Sequence, residues 1–136
     1  YLYAQLEAAE EINDNRLKSW DKYYEELDPL QKAGYIELPF VPEYCKHNAH
    51  MFYIKCRNLK ERTELINYLK TNGILAVFHY VPLHSAEAGK KFGRMHGEDK
   101  YTTKESERLL RLPMYYGLSE SDLNHIVNTI KSFYKY

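Results

Sequence analysis

Leu6, Ala9, Ile12, Leu17, Trp20, Tyr24 and Leu27 recur at close to helical spacing, and Glu, Asp, Lys and Arg fill the positions between them. The pattern predicts one long amphipathic helix over residues 2–27. Asp28-Pro29 should break it, because proline lacks an N–H and its ring collides with the preceding turn. Gly34 then closes a connection to the short run 35–38, and Pro39 and Pro42 frame a loop or sheet edge. Residues 50–56 are rich in aromatic and β-branched side chains and predict a strand. Asn58, followed three residues later by Glu61, marks the start of a helix whose apolar face carries Arg62, Leu65, Ile66 and Leu69. Asn72-Gly73 supplies a left-handed stop. Ile74-Leu75-Ala76-Val77-Phe78 is then an apolar run of strand length, which completes a strand, helix, strand unit.

Residues 82–100 are polar, punctuated by glycine and without a sustained period, so they predict a long loop with a short helical turn over 86–92. Loops of this length inside compact domains tend to carry function. Thr102 with Glu105 makes a capping-box pattern for a helix ending near Leu110, and Ser119 with Asp122 makes another for the last helix. In that last helix Leu123, Ile126, Val127, Ile130 and Phe133 form the stripe to be buried. No repeat or low-complexity segment interrupts the order. The expected fold is α/β in the two-layer α+β sense, a small open sheet with helices packed against it.

Composition narrows the function. A chain of 136 residues is one domain, small for a complete cofactor enzyme. It opens on Tyr1 with helix-interior sequence and no cap before it, which leads us to expect a fragment of a larger protein. Acidic and basic residues balance at 19 each, so no net positive field exists to attract nucleic acid or an anionic membrane. The apolar runs fall far short of the roughly 18 residues a membrane span needs. Cys45 and Cys56 are expected as reduced thiols of a cytoplasmic protein. Fourteen tyrosines suit half-buried surfaces that meet another surface, or simply an aromatic-rich fold.

Cys45, His47, His50 and Cys56 are the residue types zinc prefers, but their spacing places no two of them on one ligating turn. On one strand His50 and Cys56 would share a face some 20 Å apart, so no metal site is expected. No glycine-rich phosphate loop, nucleophile elbow or Cys-x-x-Cys pair occurs. The remaining constellation is Phe78-His79-Tyr80-Val81-Pro82-Leu83-His84. It sets two imidazoles and a phenol where an apolar strand opens into the long loop, a place where site-lining residues concentrate, although a lone histidine there is more often structural.

Ala4-Gln5-Leu6-Glu7, Ala49-His50-Met51-Phe52-Tyr53-Ile54, Arg62, Gly73-Ile74, His79-Tyr80-Val81-Pro82-Leu83-His84 and Leu112-Pro113-Met114 with Leu118-Ser119 follow one another in an order that resembles the C-terminal part of the sugar-nucleotide aminotransferases of the DegT/DnrJ/EryC1/StrS type. The resemblance spans essentially the whole chain. Within the family, the stretches 78–84 and 97–113 look closest to the branch that aminates C4 of dTDP-4-dehydro-6-deoxy-D-glucose. The resemblance implies the small C-terminal domain of a fold-type-I transferase that depends on pyridoxal 5'-phosphate, takes its amino group from L-glutamate, and works as a cytoplasmic homodimer. The family's cofactor lysine, the Asp that pairs with the pyridine nitrogen and the phosphate-binding loop belong to the large domain and have no counterpart here. The resemblance therefore implies no catalytic or cofactor-binding residue in residues 1–136, which alone should be inert. By position His79 and Tyr80 match residues that face the sugar. His84 closes the same motif, as a third substrate contact or as a pin for the loop, and Arg111 is expected as a surface cation at a helix end. Two rivals remain: a transaminase for another nucleotide ketosugar, and a free-standing module that binds a protein partner through its tyrosines.

Overall fold

The computed structural model describes residues 2–136. Tyr1, read as part of the opening helix, lies outside the described residues. Among them the order is α1 (Leu2–Glu7), α2 (Ala9–Lys32), β1 (Phe52–Lys55), α3 (Leu59–Thr71), β2 (Val77–Phe78), α4 (Glu87–Phe92), α5 (Thr102–Arg108), β3 (Leu109–Leu112) and α6 (Glu120–Phe133).

The expected long amphipathic helix is broken at Ala8 into α1 and α2, and α2 does not stop at Asp28-Pro29. Pro29 sits in the last turn of α2, where its missing N–H and its ring disturb a single turn. Leu27 and Leu30 on either side of it are fully buried and hold that turn in place. The helix closes one turn later: Tyr35 N–H donates to the Leu30 carbonyl at 3.0 Å and Gly34 N–H to that of Gln31 at 2.9 Å, with Gly34 at φ 78°.

The sheet has three strands in the order β1-β3-β2, with β3 antiparallel to both neighbours. Phe52 lies opposite Leu112 and Ile54 opposite Leu110, and all four side chains are buried against the helices. Alternation sends Tyr53, Lys55, Leu109 and Arg111 to the other face, where all are half-buried. The helix expected to end near Leu110 stops at Arg108, and residues 109–112 form the central strand. Leucine and arginine are good helix formers, so local propensity pointed the wrong way and cross-strand burial decided the outcome. The run 35–38 contributes one bridge, Glu37 to Lys55, and the strand expected over 74–78 shrinks to two residues.

Helix starts were better specified. The Asn58 side chain accepts from Glu61 N–H at 3.0 Å, and Ser119 from Asp122 N–H at 3.1 Å. The pattern at Thr102 fails, because Glu105 turns to Lys55 at 2.7 Å and to Arg108 at 3.2 Å. Asp99 takes over that cap, accepting from the Thr103 N–H at 3.2 Å. Helix α6 packs against α2 and α3 and buries Leu123, Ile126, Val127 and Ile130, with Phe133 at the margin. Tyr23, Leu65, Leu69 and Phe52 complete the core. Burying each such apolar side chain contributes about 1.5–3 kcal/mol.

Candidate functional site

Where β2 ends, the chain passes beside β3, and the two make one side of a cleft of about 390 Å³. His50, Leu75, His79, Tyr80, Arg111 and Met114 are among the residues lining it. Val77 is registered opposite Arg111, so the last turn of chain before the loop sits directly against the central strand. The His79 ring is half-buried and meets the edge of Tyr80 at 4.4 Å between centroids. Its Nδ1 is sealed from solvent without a hydrogen-bond partner. Tyr80 is 69% exposed.

Arg111 is not a surface cation at a helix end. It lies on β3 between Tyr53 and Val77, and its Nε is also buried without a partner. This residue was missed as a site candidate because the strand carrying it was missed. The available signal was a charge flanked by Leu110 and Leu112, which fits a strand of period two better than a helix end. His50 joins the same cleft, its Nδ1 3.1 Å from the Asn48 side-chain oxygen. The lining holds two imidazoles and a guanidinium, and neither Asp nor Glu. A buried nitrogen without a partner costs free energy, and for the Arg111 Nε, which can only donate, an anionic ligand that fills the cleft supplies an acceptor.

His84 is set apart from His79 and Tyr80. It is not among the residues lining the cleft, and its Nε2 lies 2.7 Å from Asp99 Oδ2 and 3.2 Å from Thr103 Oγ1. Hydrogen bonds from Thr103, and then from His84, hold the Asp99 carboxyl below its usual range. Cys45, His47, His50 and Cys56 are scattered. Cys45 is exposed, His47 meets the Trp20 ring edge at 4.5 Å, and Cys56 is buried, which pushes its thiol up to about 12. A larger and more apolar depression of about 470 Å³ adjoins the cleft at Leu75 and Pro113. Its imidazole and its carboxylate are both already bonded, His125 to the Asn72 carbonyl at 3.0 Å and Asp122 to the Ser119 hydroxyl at 2.6 Å, whereas the smaller cleft holds nitrogens without partners.

No lysine lines either depression. Lys55, on β1, is hydrogen-bonded to Glu105, which raises its pKa and keeps the amine protonated, the opposite of what a carbonyl-binding lysine requires.

Residues 1–131 match the DegT/DnrJ/EryC1/StrS aminotransferase family. Protein MJ1066 of Methanocaldococcus jannaschii is 31% identical over 131 residues, covering 93% of this chain and 33% of its own length. Among solved structures, a DegT DnrJ EryC1 StrS aminotransferase from Brucella abortus superimposes with a TM-score of 0.81 at 27% identity, over 97% of this chain and 34% of that one. DesV of S. venezuelae, solved with a ketimine intermediate, gives a TM-score of 0.85 at 22% identity, over 99% of this chain and 35% of that one. The chain thus spans about a third of the length of the relatives it matches. With the two-layer fold and the order of its motifs in agreement, the chain belongs to the DegT/DnrJ/EryC1/StrS aminotransferase family.

Proposed function

We propose that this chain is the C-terminal small domain of a transaminase that moves an amino group from L-glutamate to C4 of dTDP-4-dehydro-6-deoxy-D-glucose, giving dTDP-4-amino-4,6-dideoxygalactose for cell-surface polysaccharide of the enterobacterial common antigen type. The observation that carries the reading is the acid-free cleft, in which His79 and Arg111 hold buried nitrogens without partners. A nucleotide sugar brings a diphosphate and a ketone, which can accept from the Arg111 Nε, and ring hydroxyls, which can serve the His79 Nδ1 as donor or acceptor. Helicobacter pylori PseC, an aminotransferase involved in the biosynthesis of pseudoaminic acid, shares the fold.

Pyridoxal 5'-phosphate is the family's cofactor and supplies the amino-group chemistry. The residues present do not fit it, since no lysine faces the cleft and no step of its chemistry runs through this chain. It is assigned to the large domain of the full-length protein, and residues 1–136 act on the sugar alone. In that assignment His79 and Tyr80 hydrogen-bond the sugar, and Arg111 offers its guanidinium to an anionic group. A cytoplasmic homodimer is the assembly the family suggests.

The test is an acceptor screen of the full-length protein with L-glutamate and a panel of dTDP- and UDP-ketosugars. Amination of dTDP-4-dehydro-6-deoxy-D-glucose at C4 is expected. Preference for another ketosugar would keep the family and replace the substrate, and turnover of none would overturn the reading.

A further inference from the structure

The strand that delivers His79 and Tyr80 to the cleft is weakly held by its own ladder. Strand β2 has two residues, both exposed, at the edge of the sheet. So short an edge pairing frays readily, and the residues beyond it fray with it. Two contacts outside the ladder reinforce it. The Arg62 guanidinium sits 5.3 Å from the centre of the Phe78 ring and donates to the Ser106 carbonyl at 2.9 Å. The second lies past the cleft, where His84 meets Asp99 at 2.7 Å across 15 positions of sequence.

That contact closes the neck of the long loop. Asp99 also accepts from the Thr103 N–H and hydroxyl, so the neck is tied to the first turn of α5. Helix α5 runs without a break into β3 and Arg111. On the near side, Ser85 and Ala86 both donate backbone N–H groups to the Pro82 carbonyl at 3.0 Å, which fixes the turn in which His84 stands. Within the loop α4 packs so closely that a Cβ on Gly89 would lie 1.6 Å from the Leu83 carbonyl oxygen. The loop is thus a built unit closed at its neck, and that closure joins the two segments that line the cleft: the end of β2 through His84, and β3 through Thr103.

We propose that the His84–Asp99–Thr103 cluster is a latch, and that His84 is a positioning residue that holds His79 and Tyr80 in register with Arg111 rather than a ligand of the substrate. With the proton on Nε2, the imidazole donates to the Asp99 carboxylate.

Hydrogen exchange on the full-length protein tests the latch without recourse to activity. His84→Ala and Asp99→Ala should each speed amide exchange across residues 77–84 by about tenfold, with β1 unchanged. His84→Gln, whose amide can still donate to Asp99, should stay near wild type. The double variant His84→Ala with Asp99→Ala should exchange no faster than either single one. A kinetic arm rests on the proposed transaminase function: Asp99→Ala should raise the KM for the ketosugar as His84→Ala does, although Asp99 lies outside the cleft. Unchanged exchange in both alanine variants would overturn the latch. So would a sugar defect confined to His84→Ala and not relieved by Gln, since that is the pattern of a direct contact. If no ketosugar is turned over at all, the function reading fails while the exchange result still decides the latch.

Discussion

Arg111→Met removes the guanidinium from the cleft while keeping most of the aliphatic stem between Tyr53 and Val77. In the free protein the Arg111 Nε is a buried donor without an acceptor, and such a group costs about 1–3 kcal/mol. Arg111 is only half-buried, so the lower end applies. The variant should therefore be stabilised by about 1 kcal/mol, a rise of about 3–5 °C in Tm for a domain of this size. Function should move the other way. If the guanidinium makes a charge-assisted bond to an anionic group of the substrate, its loss costs about 1.5–3 kcal/mol, a roughly tenfold to hundredfold fall in kcat/KM for the ketosugar. Cofactor occupancy should stay unchanged, because no residue of this cleft holds the cofactor in our assignment. Arg111→Lys should fall between the two, keeping the charge but not the planar fork. The measurements are thermal melts and separate half-reactions, glutamate to the cofactor and cofactor to the sugar. A loss of several degrees in Tm with sugar kcat/KM within about twofold of wild type would show that Arg111 supports the strand and does not serve the cleft.

His79→Ala should lower kcat/KM for the ketosugar by roughly tenfold or more with the glutamate half-reaction near wild type, and Tyr80→Phe should be milder because the ring remains; ejection of the cofactor by His79→Ala would refute the assignment. A thiol reagent at neutral pH should label Cys45 at once and Cys56 only on unfolding, since burial keeps Cys56 a neutral thiol; two fast thiols would contradict a core built around Cys56. The same burial fixes a sign: the folded-state pKa of Cys56 is raised, so its contribution to stability is complete below about pH 8.5, the unfolded value, and is lost as pH rises toward about 12. Melts from pH 7 to 11 on wild type and Cys56→Ala should show a steeper alkaline loss in wild type.

Residues whose environment is local were the most legible in the sequence. Asn58 and Ser119 cap their helices through their own side chains, and the stripe Leu123, Ile126, Val127 and Ile130 needs only a helical period to be seen. The short helix expected over 86–92 is present as α4. Features set by partners distant in sequence were not legible. Glu105 leaves its expected capping role because Lys55, 50 positions earlier, lies across the sheet from it. Pro29 is tolerated because Leu27 and Leu30 are buried in a core that no local rule contains. The motif at 78–84 was found as a unit, yet it holds two different kinds of residue. His79 and Tyr80 line the cleft, whereas His84 turns to Asp99.

Strand β3 also explains how the cleft is built. A three-stranded sheet with helices on one face buries Leu110 and Leu112 as core and leaves the alternate position, Arg111, on the other face by period alone. That face is where a cationic side chain avoids the full cost of burial yet remains dry enough for its charge to matter. An edge strand of two residues then suffices to bring His79 beside it, provided something outside the ladder fixes the edge. The same shortness that makes β2 a poor structural element makes its end accessible to a ligand, and the long loop after it supplies the closure the ladder lacks. In the proposed arrangement the short edge strand already sets Val77 opposite Arg111, and the latch beyond the cleft supplies the hold on His79 that two residues of ladder do not.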